Sequence, residues 1–246
     1  MKNNKKNIII FLLILILGLV FVPRIVNRLK NDDISRSESR SIKFDNFEKN
    51  IEPLPYLLVN NERKKVPNFK FINQNGKSIS NNDYLGKVYI VEFFFTTCTT
   101  ICPIMNTNLV HIQNSFTAFP NFGIASFTIN PEFDTSEVLK LYAKENGINN
   151  LNWNLLTGDR SDIYKLANEG FNLYTAASSD FVDGFEHSGY FAIIDKEGYI
   201  RSRVDQFGNP KIYYKGSVDF DEKLDSNGEA EEITILKEDI LKLLSE

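Results

Sequence analysis

Hydrophobic residues fall along this chain in blocks whose period changes from one block to the next. An unbroken apolar stretch runs from Ile8 to Val22, between the basic start Met1-Lys-Asn-Asn-Lys-Lys6 and Pro23-Arg24. It is short for a span of roughly 20 residues, yet a basic start with an apolar centre is the pattern of an export signal. No small-x-small cleavage site follows it and no cysteine lies nearby to carry a lipid, so residues 1–26 are expected to form an uncleaved membrane anchor. Lys2, Lys5 and Lys6 favour a cytoplasmic N-terminus, although Arg24, Arg28 and Lys30 on the other side weaken the asymmetry. Residues 27–62 are polar and charged until Leu54-Pro-Tyr-Leu-Leu-Val59, and such a stretch buries too little surface to offset its ordering entropy. It reads as a tether. Residues 63–246 remain for one globular domain with a real core.

Within that domain Asn68-Phe-Lys-Phe-Ile-Asn-Gln-Asn-Gly-Lys-Ser-Ile79 alternates and then turns at Asn75-Gly76, which predicts a hairpin. Val88-Tyr-Ile-Val-Glu-Phe-Phe-Phe95 is almost wholly apolar, the pattern of a strand buried on both faces. From Cys98 to about Phe119 the apolar positions Ile101, Met105, Leu109, Ile112 and Phe116 recur every three or four residues, which predicts a helix. Phe122 to Ile129 reads as a strand. Thr135 to Gly147 reads as a helix, begun at Asp134-Thr135 and closed at Gly147. Leu155-Leu156 suggests a short strand, Ser161 to Glu169 a helix closed by Gly170, and Tyr190–Ile194 with Tyr199–Val204 an antiparallel pair around Asp195-Lys-Glu-Gly198. A last helix is predicted from Leu236 to Leu244. Strands alternating with helices, then a hairpin and a helix, describe an α/β domain with a central mixed sheet flanked by helices. The order fits a thioredoxin-like fold with insertions, carried on an N-terminal transmembrane anchor.

Cys98 and Cys102 are the only cysteines, in Phe95-Thr-Thr-Cys-Thr-Thr-Ile-Cys-Pro103. A strand that empties into a helix start with thiols at i and i+4 puts both sulfurs on one face of the first turn, where unpaired amides favour thiolate. An exported domain meets oxidising conditions, and a structural disulfide is the plain use of two cysteines there. A Cys-x3-Cys loop, however, closes too few residues to constrain the unfolded chain, so reactive chemistry is the better use. Net charge is −4 and no basic patch is interleaved with aromatics, which argues against a nucleic-acid partner. The acidic run from Asp219 to Glu232 is expected to be a solvated loop.

There are two histidines. His187 lies in Asp183-Gly-Phe-Glu-His-Ser-Gly189, entering the strand Tyr190–Ile194. In a thioredoxin-like sheet that loop packs beside the cysteine helix start, where thioredoxins place a cis-proline; no proline stands here, and His187 is the natural third group. His111 lies two to three turns up the cysteine helix, roughly 13 Å along its axis, and is expected to be structural. Two thiolates and an imidazole form a soft, low-coordinate site that suits Cu(I), whereas structural zinc wants a fourth ligand the sequence does not supply. Met105 could add a thioether, but a methionine at helical spacing is usually core.

These residues resemble the SCO/SenC family of copper-binding proteins, membrane-anchored thioredoxin-fold proteins that help assemble the copper centre of cytochrome c oxidase. The resemblance is carried by Val91-Glu-Phe-Phe-Phe-Thr-Thr-Cys-Thr-Thr-Ile-Cys-Pro-Ile-Met105, Asp134-Thr135 with Val138-Leu-Lys-Leu-Tyr-Ala143, Trp153-Asn-Leu-Leu-Thr-Gly158, and His187-Ser188 ahead of Phe191-Ala-Ile-Ile-Asp195. It implies copper ligation by Cys98, Cys102 and His187 in the reduced protein. It also implies a metallochaperone single-pass in the cytoplasmic (inner) membrane, its domain facing the periplasmic or extracytoplasmic side. Its partners would be a copper donor and the copper-site subunit of cytochrome c oxidase or another copper enzyme. One departure is Asn130-Pro131, where many members carry Asp-Pro. The alternative is a thiol-disulfide oxidoreductase using Cys98 and Cys102 as attacking and resolving thiols, in either order. A one-cysteine peroxidase would need an arginine beside the thiolate, and none occurs between Arg63 and Arg160.

Overall fold

The structure, a computed structural model, describes residues 53–173, 175–177, 185–204 and 209–246, with Glu186 and His187 described by backbone alone. The anchor expected over residues 1–26 lies outside the described residues, among which no helix is long and apolar enough to cross a membrane. Residues 53–62, at the end of the stretch read as a tether, belong to the fold. β1 (Leu58–Val59) and β2 (Glu62–Arg63) pair as a small hairpin, and Leu54 and Leu57 are buried.

The hairpin at Asn75-Gly76 forms as β3 (Lys70–Asn73) and β4 (Ser78–Ser80), with Gly76 at φ 70°, a conformation side chains disfavour. Next come β5 (Val88–Phe94), helix α1 (Cys102–Ser115), β6 (Phe122–Thr128), helix α2 (Ser136–Glu145) and β7 (Trp153–Thr157). Every residue of β5, β6 and β7 is buried, as a continuous apolar run demands. Helix α3 (Arg160–Lys165) continues into a π-helical turn over Leu166–Phe171, and Asn172 leaves it in a left-handed conformation. Gly170 therefore sits inside the turn and does not close the helix; a Cβ there would lie 3.0 Å from Pro67 Cγ and 3.3 Å from Leu166 Cδ1.

The chain then passes through β8 (Thr175–Ala177), β9 (Phe185–His187), β10 (Tyr190–Ile194), β11 (Ile200–Arg201), β12 (Arg203–Val204), β13 (Pro210–Lys211) and β14 (Tyr214–Lys215) to helix α4 (Ile233–Ser245). The main sheet runs β11-β10-β5-β6-β7-β3-β4, with β14 also paired to β10. β5, β6 and β7 are parallel, with Val88 opposite Phe122 and Phe94 opposite Thr128; β10 and β3 join antiparallel. This is the mixed sheet of a thioredoxin-like fold.

Successive side chains of β5 point to opposite faces. Phe94 meets Tyr142 of α2 (ring centroids 5.6 Å) on the face that also carries α1 and α4; Phe93 meets Phe171 (5.9 Å) on the other. At the far end of the sheet from the cysteines, buried Gln113 of α1 donates to the Gly147 carbonyl and accepts from the Asn149 and Asn150 amides. Buried Arg201 pairs with Asp195 (3.0 Å) and Glu246 (2.8 Å) and donates to the Leu54 carbonyl, which closes the start of the domain onto its last helix.

The acidic run is mostly exposed, as expected, but it is docked at one point. Its Phe220 amide donates to Asn108 of α1 (3.0 Å), its ring stacks on His111 at 4.0 Å, and Asn108 donates to the Gly216 and Val218 carbonyls. One apolar side chain in a charged stretch is enough to dock it.

Candidate metal centre

The chain moves from β5 across β6 and β7, then returns to place β10 on the other side of β5. The C-terminal end of β5 is thus the switch point of the sheet, where open α/β folds bind ligands. The cysteines lie there. Helix α1 begins at Cys102, not Cys98 as the periodicity suggested; residues 95–101 form a loop, because Phe95 is still buried beside the strand and the chain must turn before it can coil.

That loop changes the relation of the two sulfurs. Ile101 offers the helix start no side-chain cap, and the Cys102 amide instead donates to the Cys98 sulfur at 3.4 Å. The Thr100 hydroxyl lies 3.6 Å from the same atom. A helix-terminal amide aimed at sulfur favours its thiolate. No disulfide joins the two cysteines, and their exposures are 8% for Cys98 and 3% for Cys102. Burial pushes the Cys102 thiol well above the ordinary range, and the adjoining Cys98 adds to the shift. Thr97, Thr99, Thr100 and Pro103 are exposed around the pair.

Two contacts bring the β9–β10 segment to this loop. Phe185 meets Phe95 (5.1 Å) and lies under the guanidinium of Arg160, which pairs with Glu132. Gly189, at φ 65°, is so close to the loop that a Cβ there would sit 3.2 Å from Ile101 Cδ1. His187 lies between these two contacts in sequence, its backbone paired with Thr175; its side chain is not described.

The SCO1/SenC family model matches residues 59–218, which span β2 to β14 and both cysteines. The chain belongs to the SCO1/SenC family. A SCO1 homologue of Bacillus subtilis is 31% identical over 138 residues, 55% of this chain and 71% of that one. A protein of Stutzerimonas stutzeri named as copper-binding is 26% identical over 60% of this chain and 72% of its own length. The solved structure of BsSco, described as a member of the Sco family of cytochrome c oxidase assembly proteins with a disulfide switch, superposes with a TM-score of 0.59. It is 25% identical and covers 79% of this chain and 97% of that one.

Within this SCO1/SenC domain Cys98 and Cys102 are brought together, and β9 runs to the same loop. Met105 is core at 1% exposure, and His111 packs on Phe220 with Lys237 Nζ 3.2 Å from its ring nitrogen. Burial and Lys237 both lower the His111 pKa. Among the described residues no three His, Cys, Asp or Glu side chains converge.

Two carboxylates were missed as neighbours of the site. Glu92 is buried in β5, accepting from the Ser126 hydroxyl (2.6 Å), which in turn accepts from Trp153 Nε1 (2.9 Å). Burial raises its pKa from 4.5 to about 7. It is the one charged residue in an otherwise apolar run, a signal that was legible. Asp134 was read as a helix-start marker and as part of the family resemblance, not as a neighbour of the cysteines, yet its buried carboxylate reaches Thr96, two residues before Cys98. Nothing local announces that contact.

Proposed function

We propose that this SCO1/SenC domain binds one copper ion through Cys98, Cys102 and His187. It would pass that ion by ligand exchange to the copper-site subunit of cytochrome c oxidase or to another copper enzyme, after receiving it from a copper donor. The observation that carries the reading is the meeting of the two cysteines at the end of the central strand, with the residues on both sides of His187 packed against their loop. Thiolates select a soft ion, and three ligands suffice for Cu(I). The copper-binding name of one relative and the oxidase-assembly role of another point the same way. The apolar stretch Ile8–Val22 would hold the protein in the cytoplasmic membrane with the domain on the extracytoplasmic side.

Disulfide exchange through the same pair is the second reading, favoured by the Cys102 amide on the Cys98 sulfur. We rank it lower because burial holds the Cys102 thiol in its neutral form, which slows its attack on a mixed disulfide at Cys98.

The test is anaerobic Cu(I) loading of the reduced full-length chain in detergent, beside Cys98→Ser/Cys102→Ser and His187→Ala. About one equivalent in the wild type, none in the double variant and weakened retention in His187→Ala are expected. A folded, reduced wild type without copper would end the copper reading; unchanged retention in His187→Ala would remove His187 from the site.

A further inference from the structure

Asp134 is wholly buried, and the donors to its carboxylate are all neutral. The Thr96 amide (3.1 Å) and the Thr128 hydroxyl donate to Oδ2, while the Thr96 hydroxyl donates to Oδ1. Thr128 is the last residue of β6 and stands opposite Phe94 at the end of β5; Thr96 is two residues past β5 and two before Cys98. Asp134 itself is fixed from behind, its amide donating to the Asn130 carbonyl (2.9 Å) and the next residue, Thr135, capping α2. One side chain therefore joins the start of α2, the end of β6 and the second residue of the loop that presents the cysteines. An uncompensated buried carboxylate is a costly fastener. A hydrophobic side chain could fill the same space, but it would not hold a backbone amide and two hydroxyls in fixed directions.

We propose that Asp134 is the positioning residue of the cysteine loop: by holding Thr96 it fixes the turn from which Cys98 and Cys102 face one another, and thereby how tightly the pair retains a soft metal ion. The metal part rests on the copper reading above; the loop part does not.

The experiment compares Asp134→Ala, Asp134→Asn and a control, Gln113→Ala, in the reduced full-length chain. Gln113 is equally buried and also satisfies three backbone groups, but at the opposite end of α1. Two quantities are read: Cu(I) affinity by competition with bicinchoninate, and the iodoacetamide alkylation rate of each cysteine by peptide mass spectrometry. Asp134→Ala is expected to lose at least about ten-fold in Cu(I) affinity and to speed Cys102 alkylation by a similar factor, because a released loop uncovers that thiol. Gln113→Ala is expected to stay within about two-fold of wild type in both, whatever its unfolding midpoint. Asp134→Asn should fall between, since its amide oxygen still accepts while its NH2 group faces a donor.

Asp134→Ala matching wild type in both readouts, or Asp134→Ala and Gln113→Ala shifting alike, would overturn the proposal. A wild type that holds no Cu(I) ends the copper reading, and the alkylation arm then decides the role of Asp134 alone. Should Asp134→Ala not fold, Thr96→Val replaces it, removing one donor at nearly constant volume. A faster Cys102 reaction in that variant sustains the proposal, and an unchanged rate overturns it.

Discussion

Replacing Glu92 with glutamine should stabilise this protein in mildly alkaline solution and change little in mild acid. Glu92 is 4% exposed and its pKa is raised from 4.5 to about 7, chiefly by burial, against which the Ser126 hydrogen bond works. The folded state therefore holds a proton that the unfolded chain releases near the ordinary carboxylate value. Between those two pKa values the folded state binds more protons than the unfolded one, so stability falls as pH rises through the window. Above it, the rise from 4.5 to about 7 corresponds to about 3 kcal/mol at 1.36 kcal/mol for each pH unit. Glutamine keeps the oxygen that accepts from Ser126 and carries no charge to desolvate. Allowing for an imperfectly satisfied amide, the gain near pH 8 is about 2–3 kcal/mol, or about 4–12 °C in midpoint for a chain of this size. The assay is thermal and urea unfolding of the metal-free, reduced full-length protein near pH 5 and near pH 8. An equal difference between variant and wild type at both pH values would refute the reasoning, because it would place Glu92 at an ordinary pKa despite its burial.

Three further outcomes follow from other parts of the structure. Arg201→Leu strands buried Asp195 without its cation and releases Glu246, so the unfolding free energy from urea denaturation should fall by about 3–5 kcal/mol; a loss near 1 kcal/mol, ordinary for any substitution, would show the cluster to be solvated. Gly189→Ala puts a methyl group 3.2 Å from Ile101 on a backbone at φ 65°, and should weaken Cu(I) retention several-fold while costing about 1–2 kcal/mol; unchanged retention would mean Ile101 yields without moving Cys102. Met105→Leu should keep full copper stoichiometry and cost less than about 1.5 kcal/mol, since Met105 is core; loss of copper would make it a ligand.

Much of this domain was readable because it is written locally. The apolar runs Val88–Phe95 and Phe122–Ile129 announced the central strands, the Thr135 and Gly147 signals bounded α2 to within two residues, and Asn75-Gly76 marked its hairpin. The cysteine pair was legible for the same reason: two reactive side chains four residues apart share a neighbourhood in almost any fold. What failed were inferences that needed a distant partner. The hairpin gave no hint that Ile72 would stand opposite Thr157, since pairing depends on the register of a strand eighty-odd positions away. Helical spacing ran unbroken from Ile101 and carried the expected start of α1 back to Cys98, while burial of Phe95 held those residues in a loop. The acidic stretch carried no sign that Phe220 would dock it, because Asn108 and His111, which receive that residue, lie more than a hundred positions away.

The chemistry divides along the same line. Residue types and short spacings establish that two thiols sit where a buried strand meets a helix, and this follows from local geometry whatever surrounds it. Which sulfur receives the helix amide, how deeply each is buried, and which carboxylate steadies the loop depend on groups that meet only in the folded chain: Cys102 over Cys98, Phe185 on Phe95, Asp134 on Thr96 and Thr128. Those contacts, with the low-dielectric surroundings they create, set hydrogen-bond directions and pKa values, neither of which is a property of any segment taken alone.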